Sequence, residues 1–335
     1  MPVREYLNKL QRAFPSNWSA RRDYRLYDER RRDLGPYYIA WNGGDDAHLG
    51  EGWDGRPVDG DGVLLTQSEL YWPIDVFQYG LQAHADWLRG GDERARRRFL
   101  AQAEWAASAQ TTHAGVPGIY AFPSAWKRYA CEAGFRSAMA QGQAISLLLR
   151  AYQVTASLRF LESAKTASAA FFHPIEEGGV SWHDARGGVV FEEAAALPPS
   201  HILNGWIYAL WGLFELALVA QGEAVDRLYR RSLATLRDYL PHYDASAWSY
   251  YNLLASPAGF RKYATLKYHA FHVAQLHVLG SMTGDGYFAR TASRWQAMLD
   301  SPRSRYLVRV NALTGLAIAS TTHSDTIPGG ARSIV

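Results

Sequence analysis

The sequence predicts a mainly α-helical fold, an α/α toroid of paired helices preceded by a short irregular N-terminal segment. From about residue 74 onward, apolar residues recur at the i, i+3, i+4 and i+7 spacing of amphipathic helices. The helices come in pairs joined by short breaks. Because such hairpins cannot bury their apolar faces singly, they must stack side by side, and a closed ring of them is a toroid.

The composition is that of a globular protein with an unusual aromatic content. Of the 335 residues, 48% are hydrophobic and 20% charged, which allows a sizeable core and excludes wholesale disorder. Twelve Trp and 20 Tyr suit either an aromatic-rich core or a site for sugar rings. A net charge of +3, spread along the chain, indicates no nucleic-acid partner. The single Cys131 excludes an internal disulfide and a Cys-based zinc site.

Residues 1–65 are polar and rich in Gly and Asp, and they predict turns that cap the main body. No secretory signal is recognisable at the N-terminus, and no run of about 20 apolar residues follows. We therefore expect a cytoplasmic protein without a membrane partner.

Residues 66–325 are predicted to form the toroid. The predicted helix pairs are 74–89 with 93–111, 136–157 with 159–172, 202–221 with 224–240, and 265–281 with 284–299. An open solenoid would contain the same helices. In a ring, the loops at the open end would carry the chemistry.

The first two helix pairs begin with polar residues that could bind a ligand. Pro73 marks a helix start, and Gln78 and Tyr79 follow within two turns. Further on, Gln141 is an uncharged hydrogen-bonding group beside Gly142, where a second helix or a ligand could approach closely. Both segments are also explained by helix entry and helix packing alone.

The third pair is preceded by two adjacent acids, Glu192 and Glu193, and begins near Asn204. A carboxylate in a partly dry cleft can have a raised pKa and serve as general base, although solvated loop acids are commoner.

The fourth pair follows Tyr251, and its first helix places Tyr268, His272 and Gln275 along one face. His269 and His272 could instead be metal ligands, but no third ligand stands at convincing spacing, so no metal is predicted.

Together these segments resemble the C-terminal catalytic domain of the D-glucuronyl C5-epimerases. The runs Met-Ala-Gln-Gly at 139–142 and Tyr-His-x-x-His-x-x-Gln-Leu at 268–276 are the most specific matches. Further matches lie at 72–81 and 203–205, so that the resemblance covers roughly residues 63–281.

The resemblance implies an α/α toroid without an organic cofactor, often a homodimer, that acts on uronate sugars. Such an enzyme removes the proton on the carbon next to the carboxylate and returns one to the opposite face. By motif position, Glu193 and Tyr268 would be the acid/base pair, with Tyr251 a further active-site tyrosine. The residues predicted to bind substrate are Gln78, Tyr79, Arg136, Gln141, Asn204, Arg261, His272 and Gln275.

Two departures from the family pattern make the predicted cleft less polar. Ala194 stands where the family has tyrosine, and Leu254 stands where it has the arginine expected to hold the uronate carboxylate. Losing such a buried charge-assisted contact typically costs a few kcal/mol. Candidate replacement cations by proximity in sequence are Arg136, Arg261 and Lys267.

Three functions remain compatible with the sequence. The leading one is a cofactor-independent C5-epimerase-like isomerase acting on a uronate-containing saccharide. A second is an isomerase, cyclase or lyase that uses the same acid/base residues on a less polar metabolite. A third is a non-catalytic carbohydrate-binding protein.

Overall fold

The computed structural model describes residues 23–31, 33–41, 56–255 and 261–314, with the side chains of 311–314 left out. In those ranges the chain forms nine α helices and three two-stranded antiparallel sheets. The helices are α1 (Pro73–Gly90), α2 (Glu93–Ser108), α3 (Ala138–Thr155), α4 (Leu158–Ser168), α5 (Leu203–Ala220), α6 (Glu223–Tyr239), α7 (Leu266–Thr283), α8 (Gly286–Asp300) and α9 (Pro302–Thr314). The strands are β1 (Thr111–His113), β2 (Val116–Ile119), β3 (Ser181–His183), β4 (Val189–Phe191), β5 (Tyr250–Ala255) and β6 (Arg261–Tyr263).

The first eight helices form four packed pairs, which confirms the predicted mainly α fold of α/α toroid type. Within each pair, the odd-numbered helix also packs against the next odd-numbered helix: α1 on α3, α3 on α5 and α5 on α7. These odd-numbered helices are the inner layer, and α2, α4, α6 and α8 cover them from outside. The amino-acid composition of the helices fits these two layers: the inner helices α3 and α5 are buried on nearly all sides, whereas the outer helix α6 has an exposed charged face.

Each inner helix begins at a residue suited to that position. Pro73 opens α1, where its missing N–H forfeits no helical hydrogen bond. Ser137 and Thr265 cap α3 and α7, because their hydroxyls accept from the backbone N–H groups of Ala140 and Tyr268. These starts bring polar residues of the first turns to one end of the inner layer.

The central contact of the inner layer is a backbone-to-backbone approach of α3 and α5. A Cβ placed on Gly142 would lie 2.6 Å from the Cα of Ala209 and 2.6 Å from the carbonyl oxygen of Tyr208. A Cβ on Gly212 would lie 2.3 Å from the carbonyl oxygen of Gly142. Gly142 was predicted to allow the close approach of either a second helix or a ligand, and in the structure it is the helix α5 that approaches.

A buried ion pair joins the same two helices further along. The Arg150 guanidinium donates to both carboxylate oxygens of Glu215 at 2.9 and 2.8 Å, and also to the carbonyl oxygens of Gly35 and Ser146. Both side chains are fully buried. An ion pair satisfied this completely can replace the hydration that its charges lose on burial.

Helix α5 is long and apolar enough to cross a membrane by length and composition alone, with a mean hydropathy of 1.4. It is nevertheless a core helix, since 72% of it is buried inside the protein.

The described part of the N-terminal segment lies against three inner helices. Backbone N–H groups of Tyr27, Leu34 and Trp41 donate to Ser281 of α7, Gln153 of α3 and Gln82 of α1, respectively. Much of the predicted capping segment, including residues 42–55, lies outside the described residues, as do residues 315–325 of the predicted toroid.

We expect Gly142→Ala to lower the free energy of unfolding by about 1–3 kcal/mol, because the added methyl group has only rigid backbone to displace. The matched control is Gly90→Ala in the last turn of α1, where a Cβ would meet nothing within 4 Å. Urea unfolding of both variants measures the difference. Equal stability of the two would contradict the close helix contact.

We expect Arg150→Met to destabilise the protein by about 3–5 kcal/mol, since it strands the Glu215 carboxylate in the core. The double variant Arg150→Met/Glu215→Leu should recover much of that loss, because neither charge is then buried alone. A double-mutant cycle from chemical denaturation tests this. Simple additivity of the two single effects would refute the coupling.

Candidate active site

A cleft with a cavity volume of about 200 Å³ opens where the four inner helices begin. Its lining includes residues from the starts of α1, α3, α5 and α7, together with the loops between the pairs. Much of the wall is aromatic: Trp41, Trp72, Phe122, Trp126, Phe135 and Tyr208. Flat apolar faces with polar edges of this kind suit a sugar ring.

The structure brings five of the predicted site residues together in this cleft. Gln78, Glu193, Asn204, Tyr251 and Tyr268 all line it. They come from α1, from the loop after β4, from α5, from β5 and from α7, so the toroid assembles groups that are up to 190 positions apart in the chain.

The two tyrosines are in contact with each other in the cleft that Glu193 also lines. The rings of Tyr251 and Tyr268 meet edge to face, with centroids 4.6 Å apart. Burial, with the nearby Glu193 and the Tyr268 hydroxyl as lesser causes, raises the pKa of Tyr251 well above its ordinary value. Tyr251 is therefore a protonated hydrogen-bond donor throughout the physiological pH range.

The Glu193 carboxyl is buried, with 6% of the residue exposed. Burial raises its pKa to about 8, the neighbouring Glu192 contributes in the same direction, and Lys262 opposes both. Asn204 Nδ2 donates to Glu193 Oε2 at 3.4 Å. Glu193 is thus a carboxyl group whose proton is exchangeable near neutral pH, as a general acid/base requires.

Glu192 has a different task from its neighbour. Its carboxylate accepts hydrogen bonds from the backbone N–H and hydroxyl of Ser200 at 3.1 and 3.0 Å, and from the backbone N–H and ring Nδ1 of His201. Because all four come from the lead-in to α5, Glu192 fastens that loop to the end of β4. The fixed backbone leaves Glu193 directed to the cleft.

The Glu193 carboxylate packs directly against the backbone of Gly205. A Cβ at this position would lie 2.2 Å from Glu193 Oε2. Any side chain here would displace the acid, which explains the glycine in the Leu-Asn-Gly motif by close approach.

Two other predicted binding residues hold the fold instead of lining the cleft. Gln141 Nε2 donates to the carbonyl oxygens of Gly118 and Ala167 at 2.8 Å, and its Oε1 accepts from the backbone N–H of Tyr120. Arg136 donates to the carbonyl oxygens of Gly179 and Ile175. Their polar atoms serve loops that pack around α3.

The remaining predicted binding residues also lie outside the lining. Gln275 supports the site from behind, because its Nε2 donates to the carbonyl oxygen of Asn204 at 3.0 Å. Tyr79, on α1, does not line the cleft. Arg261 is directed at the Tyr250 ring, 5.9 Å from its centroid, and at the carbonyl oxygen of His242.

His272 belongs to a buried network around Ser249. The Ser249 hydroxyl contacts Nδ1 of His269 at 2.8 Å and Nδ1 of His272 at 2.9 Å, while Nε2 of His269 lies 3.0 Å from the carbonyl oxygen of Trp295. Burial lowers the pKa of both imidazoles, so both are neutral. Since His269 must donate to Trp295, Ser249 donates to His269 and accepts from His272. These contacts support the reading as buried, hydrogen-bonded residues over the metal-ligand alternative.

One cation close to the site was missed by reasoning from the sequence. Lys262 Nζ lies 4.3 Å from the centroid of the Tyr251 ring. Burial lowers the pKa of this lysine to about 8, and Arg128 contributes in the same direction, whereas Glu193 opposes both. Its position on β6, paired with β5, carries no motif, so only the strand pairing reveals it.

The comparisons with known proteins indicate one enzyme family. The family model of the D-glucuronyl C5-epimerase C-terminus matches residues 110–297. The chain is 29% identical over 227 residues to a D-glucuronyl C5-epimerase of Caenorhabditis elegans, covering 64% of this chain and 37% of that protein. It is 30% identical over 171 residues to an uncharacterized protein of Methanocaldococcus jannaschii, covering 50% of this chain and 54% of that protein. The chain thus spans less than two thirds of either relative.

Similar solved structures include carbohydrate-active enzymes of low sequence identity. An α-1,6-mannanase of Salegentibacter sp. HEL1_6 matches with a TM-score of 0.49 at 15% identity, covering 73% of this chain and 66% of the mannanase. An unsaturated glucuronyl hydrolase of Bacillus sp. GL1 matches with a TM-score of 0.47 at 15% identity, covering 68% and 62%.

The family model covers more than half of the chain and includes Glu193, Tyr251 and Tyr268. This chain belongs to the family defined by the C-terminal domain of the D-glucuronyl C5-epimerases.

Proposed function

We propose that this protein is a C5-epimerase-like isomerase that removes and returns the proton on C5 of a uronate residue in a saccharide. The observation that carries the proposal is that a carboxyl with a pKa near 8, Glu193, and a phenol, Tyr268, line the same cleft. Inversion at a carbon requires one acid/base group on each side of the ring, and these two residues supply them.

Glu193 is suited to take the proton. A carboxylate whose pKa is about 8 is a much stronger base than a solvated one, and enough of it is ionised near neutral pH to react. A single well-placed proton transfer contributes about 10²–10⁴-fold to the rate. The phenol of Tyr268 is the opposing donor, and Tyr251, in edge-to-face contact with it, is a second protonated phenol.

The helix starts favour a negatively charged ring. The N-terminal turns of α1, α3, α5 and α7 all contribute to the lining, and the aligned peptide dipoles of these helices give that end of the inner layer a positive potential. The potential favours both a carboxylate ligand and the enolate-like intermediate that forms when C5 loses its proton.

A second candidate is an isomerase, cyclase or lyase acting on a less polar, non-uronate metabolite. The observation behind it is that no lysine or arginine lines the cleft in the described part of the chain, while aromatic residues dominate. Ala194 and Leu254, which replace polar family residues, are respectively buried and half-buried. A non-catalytic binder is less well supported, because it gains nothing from a buried carboxyl with a raised pKa.

We expect the protein to incorporate solvent deuterium at C5 of a polyuronate, and Glu193→Gln to lower that rate at least ~10²-fold, because the amide cannot accept the proton. Glu176→Gln, at an exposed acid, is the control and should exchange as the wild type does. Proton NMR of glucuronate-containing polysaccharides in deuterated water measures the rate. No exchange with any uronate polymer, alongside turnover of a neutral substrate, would favour the second candidate.

We expect the free energy of unfolding to depend on pH because the Glu193 carboxyl is buried. Its folded-state pKa of about 8 exceeds the ordinary carboxyl value, so the native state holds an extra proton between those pH values and loses stability as pH rises through them. Glu193→Gln lacks this penalty. Its unfolding free energy should match that of the wild type near pH 4.5 and exceed it by on the order of 4 kcal/mol at pH 8.5, since each pKa unit corresponds to about 1.4 kcal/mol. Urea unfolding across this range measures the gap, and a gap independent of pH would show that the carboxyl is not perturbed.

A further inference from the structure

Lys262 is a lysine whose charge lies against the cleft wall instead of in solvent. Its side chain is half-buried on β6, and its ammonium group stands 4.3 Å from the centre of the Tyr251 ring, which lines the cleft. Among the residues that the structure describes, no carboxylate lies within ion-pair distance of it. The aromatic face holds the cation but does not neutralise it.

Glu193 is the complementary case, a buried carboxyl without a cation at ion-pair distance in the described ranges. Its one side-chain hydrogen bond there is the long contact with Asn204. Glu193 lines the same cleft as Tyr251, whose ring Lys262 contacts. Each group also favours the charged form of the other: Lys262 lowers the pKa of Glu193, and Glu193 raises the pKa of Lys262.

The other charged and titratable groups around the pair are already committed or have the wrong sign. Glu192 is bonded to Ser200 and His201, and it opposes ionisation of Glu193. Arg56 is paired with Asp75 at 2.9 Å. Arg128 is exposed and repels the Lys262 cation.

The tyrosines next to the pair do not compete with it for protons. Tyr129 and Tyr251 are neutral, because burial raises the pKa of both phenols. Tyr268 meets Tyr251 edge to face on the cleft side.

We propose that Lys262 is the counter-charge of Glu193, a positioning residue that allows the buried glutamate to ionise and so to act as the base. This assignment rests on the proposed function for its catalytic meaning but on the structure alone for its electrostatic one. Deprotonation of Glu193 in a buried site beside a second carboxylate is unfavourable, and the ammonium form of Lys262, held against the Tyr251 ring, offsets that penalty.

The direct test is to titrate the Glu193 carboxyl in the ligand-free protein by carbon-13 NMR, with its resonance assigned by its loss in Glu193→Gln. In the wild type it should titrate near pH 8. In Lys262→Met we expect the midpoint to move up by roughly 1 unit or more, because the favourable charge is gone. In Lys262→Arg it should stay at or below the wild-type value. Lys127→Met, which removes an exposed lysine of the same charge, should leave it unchanged.

The second readout is the pH profile of deuterium exchange at C5. The ascending limb should move to higher pH in Lys262→Met and return in Lys262→Arg, a rescue that a merely structural role would not produce. Unfolding midpoints establish that each variant is folded. If the Glu193 midpoint is the same in Lys262→Met as in Lys127→Met, the assignment is overturned. If the midpoint moves but no uronate polymer exchanges, the proposed reaction fails while the counter-charge stands.

Discussion

The contact between α3 and α5 at Gly142 and Gly212 is the constraint on which the rest of the structure depends. Because the two backbones touch, the starts of these helices are held at a fixed separation, with no side chain between them that could adjust. Ser137 and Met139 at the start of α3 and Asn204 at the start of α5 thereby line one cleft side by side, with Asn204 Nδ2 3.9 Å from Met139 Sδ. The buried Arg150–Glu215 pair fixes the same helices further along, so that neither can tilt without breaking an ion pair.

The adjacent acids Glu192 and Glu193 have different roles in this structure. Glu192 accepts four hydrogen bonds and secures the loop, which lets the next residue remain poorly solvated and weakly bonded. The Glu193 carboxylate fits in its position only because Gly205 lacks a side chain. A reactive carboxyl of this kind lowers the stability of the fold, and the satisfied contacts of its neighbour offset part of that loss. Such division is typical of sites where function requires a strained group on a rigid support.

Much of the fold and part of the site could be predicted from the sequence, for identifiable reasons. Helix pairs follow from apolar periodicity, and their bounds agree with the structure because caps such as Ser137 and Thr265 are local signals. Glu193, Tyr251 and Tyr268 came from a family pattern, and the structure places all three in the cleft. The interpretation of Gln141 as a binding residue was less successful, because a motif does not show which way a helical side chain points. Gln141 faces the loops around Gly118.

Lys262 and Trp41 were beyond sequence reasoning for a different reason. Lys262 reaches the site through the irregular pairing of β5 with β6, and Trp41 reaches it through the docking of a segment that has no regular periodicity. Neither the irregular register of the β5–β6 hairpin nor the docking of this segment can be deduced from residue spacing along the chain. Arg261, which proximity in sequence selected, is the direct neighbour of Lys262 but contacts the Tyr250 ring, whereas Lys262 contacts Tyr251 in the cleft wall. Proximity along the chain therefore does not decide which cation reaches the site.

Trp41 also ties the cleft to the N-terminal segment. Its ring stacks on Tyr37 and Tyr208, and Tyr37 in turn covers the Arg150 guanidinium at 5.2 Å. A ligand that packs on Trp41 therefore binds better to molecules in which this segment is docked. Because such coupling is reciprocal, ligand binding also makes the docked state of the segment more favourable. A bound ligand would therefore stabilise the docked segment as far as Tyr27, whose backbone N–H donates to Ser281 near the C-terminal end of α7. The chain around Tyr27 would then be cleaved more slowly by a protease when the cleft is occupied.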